Sequence, residues 1–271
     1  GAIGITCQKL GEAEVMAEAG IEDILITTNI IGAAGSGRLA ALQRRMSLKI
    51  CADNPVSLDA YAKAGRVAER PVRVLIECDT GRKRAGVETP NDALILANII
   101  RDDPWLEFGG LMFYPPADGW PATQTFLDVT KQGLTSLGLE PEIISTGGTP
   151  NLVNLGHLKG ATEHRSGTYI FNDRMMMAAG VANSNNCALL IFSSVVSRAA
   201  DTRGIIDAGS KTFTSDTGGL EGFGLILEHP KAHIHQMAEE HGFLDLSDCE
   251  TKPLIGDILR VIPNHACVVV N

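Results

Sequence analysis

The chain has 271 residues, 44% of them hydrophobic, and a formal charge of −9 at pH 7. That is enough apolar sequence for a large core in one domain or in two unequal ones. The acidic balance argues against a nucleic-acid partner, which requires clustered Lys and Arg, and no run approaches the ~20 apolar residues of a membrane span.

From residue 1 to about 170, short β-rich runs alternate with longer helix-like ones. The strand-like runs are 1–7, 23–28, 48–53, 72–79, 108–114 and 142–146, with a last one at 168–172. Helices are predicted over 12–19, 36–46, 55–66, 89–102, 121–137 and 150–156. Continuous apolar strands alternating with helices indicate a parallel sheet covered on both faces. Six or seven such units predict a (β/α)8 barrel lacking its first one or two units. An open doubly wound sheet has the same periodicity and stays open as the alternative. After about residue 180 helices nearly vanish, and 187–199, 203–209, 223–228, 232–237 and 258–270 read as strands separated by Gly and Asp turns. The predicted organisation is an α/β domain over 1–175 and a smaller all-β domain over 176–271.

Six cysteines stand at no regular spacing. Cys7, Cys51 and Cys78 lie in apolar runs, where a cysteine is a small core residue, and this usage suits a reducing cytoplasm. No secretory signal is visible, but the chain opens on Gly1 inside a strand-like run, so its start reads as a fragment boundary.

A parallel barrel carries its active site at the carboxyl ends of its strands. Gln8, Asp53, Asp79, Arg84, Tyr114, Thr146 and Tyr169 occupy such positions. The turn STGGTP (145–150) ends one strand and opens a helix, so Gly147 and Gly148 let the backbone approach an anion at a helix amino terminus. SGTYIFND (166–173) adds a second Gly turn with two hydroxyls, and the pair resembles the phosphate site found late in such barrels. GRKRAGV (81–87) reads either as a solvated basic loop or as a loop that turns Arg84 inward onto an anionic or phenolic oxygen. In PNHACVVVN (263–271), a strand would place His265 and Cys267 side by side, with Asn271 further along the same face. Imidazole and thiolate suit zinc, and two protein ligands would leave an open, catalytic type of site. A buried Cys beside an exposed His is the bland alternative. His157, His164, His229, His233 and His235 have no comparable partner.

Seven ordered stretches carry a resemblance: ITCQKLGEAEVMAEAGIEDILI, GRKRAGV, STGGTP, TEHRSGTYIFNDRMM, DAGSKTFTSD, EEHGF and PNHACVVVN. Together they resemble the D-threonine aldolase-like and D-serine dehydratase-like family, nearly end to end. The resemblance implies an alanine-racemase type of fold, a pyridoxal phosphate (PLP) barrel followed by a β domain, usually as a homodimer. It implies that Arg84 contacts the PLP ring oxygen and that Tyr114 lies beside the ring. Gly148, Thr149, Gly167, Thr168 and Tyr169 would hold the phosphate, and His265 and Cys267 the divalent metal that grips the substrate.

Two features depart from the family. Its Schiff-base lysine sits in an Arg-Pro-His-x-Lys-type motif upstream of ITCQK, and Lys9, Lys49, Lys63, Lys83 and Lys211 do not match that motif. The lysine is therefore expected upstream of residue 1, and the chain without that segment is expected to turn over little or no substrate. Secondly, manganese- or magnesium-dependent aldolases carry a carboxylate where Cys267 stands, whereas zinc-dependent dehydratases carry Cys. The expected reaction is retro-aldol cleavage of a small D-β-hydroxy amino acid such as D-threonine to glycine and an aldehyde, with His265, Arg84 and Tyr114 at the reacting centre. The alternatives are dehydration to an oxoacid and ammonia, and a non-catalytic PLP-binding protein. Racemisation needs no metal and would leave the His265/Cys267 pair unexplained.

Overall fold

The computed structural model describes residues 1–270 and groups them in two compact units, Gly1–Arg165 and the residues from Ser166 onward. Residues 166–175 therefore group with the second unit, whereas the sequence pattern puts the boundary after 175.

In the first unit the elements run β1 (Ile5–Cys7), α1 (Leu10–Glu18), β2 (Ile24–Ile26), α2 (Gly32–Arg45), β3 (Leu48–Ala52) and α3 (Pro55–Ala68). They continue as β4 (Val72–Cys78), α4 (Pro90–Asp102), β5 (Leu106–Phe113), α5 (Trp120–Ser136), β6 (Ile143–Thr146), a 3-10 helix (Thr149–Asn154) and β7 (Glu163–His164). The seven strands form one sheet in sequential order, every pair parallel. A doubly wound sheet reverses its strand order at a switch point; this one does not, and it is the incomplete barrel.

Strand alternation divides the core. Ile24, Ile26, Ile50, Val74, Ile76, Leu111 and Phe113 face the helices and join Leu39, Leu58, Tyr61, Leu96 and Leu127 in one buried cluster. Burying each such side chain stabilises by roughly 1.5–3 kcal/mol. The opposite face carries a smaller cluster, Leu25, Cys51, Leu75 and Met112. Along β4 that face reads Arg73, Leu75, Glu77, so a charged layer lies at each end of the apolar one. Helix starts are encoded locally: Asn54 accepts from Ser57 N (2.9 Å) ahead of Pro55, and Thr89 accepts from Asp92 N (3.2 Å) ahead of Pro90. The Tyr61 hydroxyl donates to Cys51 O (2.8 Å) and accepts from Ile30 N (3.1 Å), tying α3 to β3 and to the chain after β2. Gly110 marks a register shift between β4 and β5. Its φ is +144°, and a Cβ there would lie 1.9 Å from Ile143 O.

The last strand differs from expectation. Residues 168–172 form a 3-10 turn (Thr168–Ile170) with Asn172 at φ +53°, and the seventh strand is the two-residue Glu163–His164. The run of Thr, Tyr, Ile and Phe has β propensity, but Tyr169 and Ile170 are exposed and belong to neither sheet among the described residues.

The second unit contains α6 (Arg174–Ala178), β8 (Ile191–Ala200), β9 (Arg203–Ile206), α7 (Ser210–Phe213), β10 (Leu225–Ile226), β11 (His233–Met237), β12 (Gly242–Asp245), β13 (Ile258–Ile262) and α8 (Ala266–Val269). Its six strands form an antiparallel sheet in the order β10-β13-β8-β9-β12-β11, around Val195, Ile206, Phe213, Ile226, Ile234, Leu244 and Val261. The chain expected to run as one strand over 258–270 stops at Ile262. Pro263 has no N–H for a ladder, and α8 follows. Asn271 lies outside the described residues.

Candidate active site

In the first unit, three loops that follow neighbouring strands carry the sequence-predicted residues. Arg84 belongs to the loop after β4, Tyr114 directly follows β5, and Gly147–Gly148–Thr149 follows β6. The β4 loop is fixed at both ends. Asp79 Oδ1 accepts from Gly81 N (2.9 Å) and Arg82 N (2.7 Å), while Asp53 Oδ2 accepts from Gly86 N (2.9 Å). Gly86 sits at φ +115°, where a Cβ would lie 2.6 Å from Asp79 N.

So held, the loop brings Arg82 and Arg84 over the Tyr114 ring, 4.8 and 5.0 Å from its centroid. Arg84 Nη2 also lies 3.6 Å from Glu77 Oε1. Burial pushes the Glu77 carboxyl above the usual carboxylate range, and Arg84 opposes that shift. Glu77, Cys78, Asp79, Arg82, Arg84 and Tyr114 line one small cleft. The sequence reading placed Arg84 and Tyr114 separately and did not single out Glu77 or Arg165. Arg165 Nη1 donates to Ser145 Oγ (2.5 Å) and Nη2 to Phe113 O (2.9 Å), while Ser145 Oγ donates to Glu163 Oε1 (2.6 Å). This network clamps the ends of β5, β6 and β7.

The STGGTP turn is closely packed. Gly147 adopts φ +84°, and a Cβ there would lie 1.7 Å from His164 Cε1. At Gly148 the backbone is extended, and a Cβ would lie 2.5 Å from Tyr114 Cε2. The His164 ring lies against this turn with Nε2 3.1 Å from Gly148 O, and burial holds its pKa below the ordinary value. His164, which has no sequence partner, thus supports the candidate phosphate turn. Thr149 is buried and begins a 3-10 helix of six residues. The helix expected there is therefore short, and its dipole contributes less than a full α-helix would. Buried Thr146 Oγ1 finds no hydrogen-bond partner among the described residues. An unsatisfied buried hydroxyl beside this turn suits an anionic ligand. With Arg84 and Tyr114 nearby, these residues fit a phosphorylated aromatic cofactor.

Three of the lysines that do not match the Schiff-base motif are engaged in ion pairs. Lys49 pairs with Asp23 (2.5 Å), Lys63 with Asp59 (2.6 Å) and Lys211 with Glu240 (2.7 Å).

In the second unit, His265 is the extended N-cap residue of α8 and Cys267 lies within that helix. They do not share the face of a strand, because β13 ends at Ile262 and the chain turns into α8 between them. Each is held by a different contact. His265 Nδ1 lies 2.6 Å from Asp216 Oδ2, and Cys267 Sγ lies 3.4 Å from Thr168 Oγ1. Fully buried Asp173 accepts from Met176 N (2.9 Å) and Ala266 N (2.8 Å), so it fixes the backbone between the two candidate ligands. Arg174 N donates to Pro263 O (3.0 Å) and Met175 N to Asn264 O (3.1 Å), joining NDRMM to PNHAC. Gly167 and Thr168 precede and open the 3-10 turn that also contains Tyr169. No group of three or more His, Cys, Asp or Glu side chains able to hold a metal occurs among the described residues. The donors available are one imidazole and one exposed thiol, which by chemistry fit a soft divalent ion completed by water or substrate.

Comparison with known proteins places these features in a family. Residues 1–175 match the family "Alanine racemase, N-terminal domain", and residues 188–271 match "Putative serine dehydratase domain". The chain is 30% identical to a D-threonine aldolase of Arthrobacter sp over 280 residues, spanning 98% of this chain and 72% of that protein. It is also 30% identical to a D-threo-3-hydroxyaspartate dehydratase of Delftia sp. (strain HT23) over 296 residues, spanning 98% of this chain and 78% of the relative. Among solved structures, the D-threonine aldolase of Filomicrobium marinum superposes with a TM-score of 0.88 at 26% identity, covering 99% of this chain and 76% of the other. Structures of a D-threo-3-hydroxyaspartate dehydratase include a cysteine-to-alanine variant in the metal-free form, with a TM-score of 0.84, 29% identity and coverage of 99% and 79%. A histidine-to-alanine variant of such a dehydratase, altered two positions before that cysteine, superposes with a TM-score of 0.83 at 29% identity, covering 99% and 77%. From its fold, its ordered motifs and these matches, the chain belongs to the alanine racemase-type family of PLP-dependent proteins, in the group of the D-threonine aldolases and D-serine dehydratases.

Proposed function

We propose that this protein is a PLP- and divalent-metal-dependent lyase acting on small D-β-hydroxy amino acids, cleaving D-threonine-like substrates to glycine and an aldehyde. The observation that carries the reading is the His265/Cys267 pair, its backbone fixed by Asp173, in a chain whose barrel unit presents Arg84, Tyr114 and the Gly147–Gly148 turn. Arg84 is assigned to the ring oxygen of the cofactor and Tyr114 to its face. Gly148 and Thr149 are assigned to its phosphate together with Gly167, Thr168 and Tyr169. Glu77 behind Arg84 keeps the guanidinium turned toward the ring position. His265 Nε2 and Cys267 Sγ are assigned to the metal.

PLP, when bound, would supply the electron sink for bond breaking at Cα. A divalent metal, when bound, would lower the pKa of the substrate β-hydroxyl and orient it. The protein's own contribution is orientation: an arginine and a tyrosine fix the ring plane, glycines admit the phosphate, and the His/Cys pair fixes the β-carbon end. A carrier protein has no use for the metal pair, so the non-catalytic reading has less support.

Cys267 favours a second reading, dehydration to an oxoacid and ammonia. A histidine and a cysteine two positions apart are the residues varied in the dehydratase structures, and the same spacing occurs here. Product analysis separates the two: the full-length protein is incubated with D-threonine, PLP and zinc or manganese. Glycine and acetaldehyde support the aldolase, whereas ammonia and 2-oxobutanoate replace it with the dehydratase. In either case His265→Ala is expected to abolish turnover while PLP remains bound. Full activity of His265→Ala at saturating metal would remove the metal assignment. The expected homodimer is tested by light scattering on the same preparation.

A further inference from the structure

The structure assigns Asp216 as a positioning residue: its carboxylate fixes the His265 ring so that Nε2, and not Nδ1, is the nitrogen presented to a metal. This rests on the metal reading above. A carboxylate accepts but does not donate, so at 2.6 Å from Asp216 Oδ2 His265 Nδ1 must carry the proton. The lone pair of the neutral ring is then on Nε2. A histidine whose second nitrogen is committed in this way has one tautomer and one ring orientation.

The loop that delivers the carboxylate is shaped for it. Asp216 Oδ1 accepts from Gly218 N (2.9 Å), so one oxygen anchors the loop while the other holds the imidazole. Thr214 stands at φ +65°, Gly218 at +58° and Gly219 at +79°. A Cβ on Gly218 would lie 2.4 Å from Met175 Sδ. Non-glycine residues rarely adopt the Thr214 backbone, and such strain persists only where surrounding contacts enforce it. Asn264, next to His265, donates to Gly222 O (2.8 Å) and Thr217 O (3.4 Å), which joins the far side of the loop to the histidine's own backbone. Asp216 and His265 are therefore held at both ends, 49 positions apart in sequence.

The test uses metal-depleted full-length protein: wild type, Asp216→Ala, Asp216→Asn and His265→Ala. Zinc affinity is measured by competition with a chromogenic chelator, and the His265 tautomer by 15N NMR without metal. Loss of such a second partner lowers metal affinity by roughly 10–100-fold, and that is the expected loss for Asp216→Ala. Asp216→Asn keeps an acceptor oxygen for Nδ1–H and is expected to lose less. Wild type should show the Nδ1–H tautomer, and Asp216→Ala should shift toward Nε2–H. The assignment is overturned if Asp216→Ala binds zinc within twofold of wild type, or if its tautomer is unchanged. If His265→Ala binds zinc as tightly as wild type, the metal reading itself fails; that outcome is read from a different variant, so the two failures are distinguishable.

Discussion

Replacing Gly148 with alanine tests whether the phosphate turn and the ring-facing tyrosine form one packed unit. Gly148 has extended backbone, so alanine adds no backbone strain; the added methyl is the whole perturbation. It would lie 2.5 Å from Tyr114 Cε2 and 2.9 Å from its hydroxyl oxygen. Carbon atoms pack at roughly 3.5–4.0 Å, so the ring or the turn must move by about 1 Å. Movement of the ring disturbs the guanidinium groups of Arg82 and Arg84, contacts worth about 0.5–1 kcal/mol each at exposed sites. With overpacking costs of roughly 1–3 kcal/mol, Gly148→Ala should lower unfolding stability by that order and weaken PLP binding. The assays are urea denaturation and fluorimetric PLP titration. In a Tyr114→Ala background the ring is gone, and the stability cost should fall to within about 0.5 kcal/mol of zero. Equal cost in both backgrounds would refute the packing argument.

Three further outcomes follow from other parts of the molecule. Asp173→Asn leaves an amide donor facing one of two backbone N–H groups, Met176 or Ala266, and should lower the urea midpoint by the equivalent of about 1–3 kcal/mol; an unchanged midpoint would show that one of these two contacts is dispensable. His164 has a folded pKa below its ordinary 6.5, so between those values the unfolded chain binds more protons. Its contribution is complete above 6.5 and is lost as pH falls through that window. Urea midpoints of wild type and His164→Asn should therefore converge on acidification, and a constant difference would contradict the assignment. Gly110→Ala places a methyl 1.9 Å from Ile143 O at φ +144°, and should prevent β6 from pairing with β5, read as loss of soluble folded protein.

The barrel was legible because its signal is local. Runs such as Val72–Cys78 and Leu106–Phe113 are mostly apolar, and Asn54-Pro55 and Thr89-Pro90 mark helix starts in two residues each. Elements defined by distant partners were not legible. Glu163–His164 is a strand only because Ser145 and Thr146 pair with it, and Gly242–Asp245 only because β9 and β11 flank it. PNHACVVV has strand composition, yet Pro263 ends the ladder and Asp173, 93 residues upstream of Ala266, caps the turn that follows. The same reason hid two functional candidates. DAGSKTFTSD was visible as a motif, but nothing in it links Asp216 to His265, and Glu77 reads as part of an apolar strand until the Arg84 loop folds back onto it.

The most direct test of the central claim is stereospecific, metal-dependent consumption of a β-hydroxy amino acid by the full-length protein loaded with PLP. D-threonine should be consumed with formation of glycine and acetaldehyde, L-threonine should be left intact, and chelation of the metal should stop the reaction. Conversion of D-threonine to its Cα epimer alone, or equal activity with and without metal, would contradict the account.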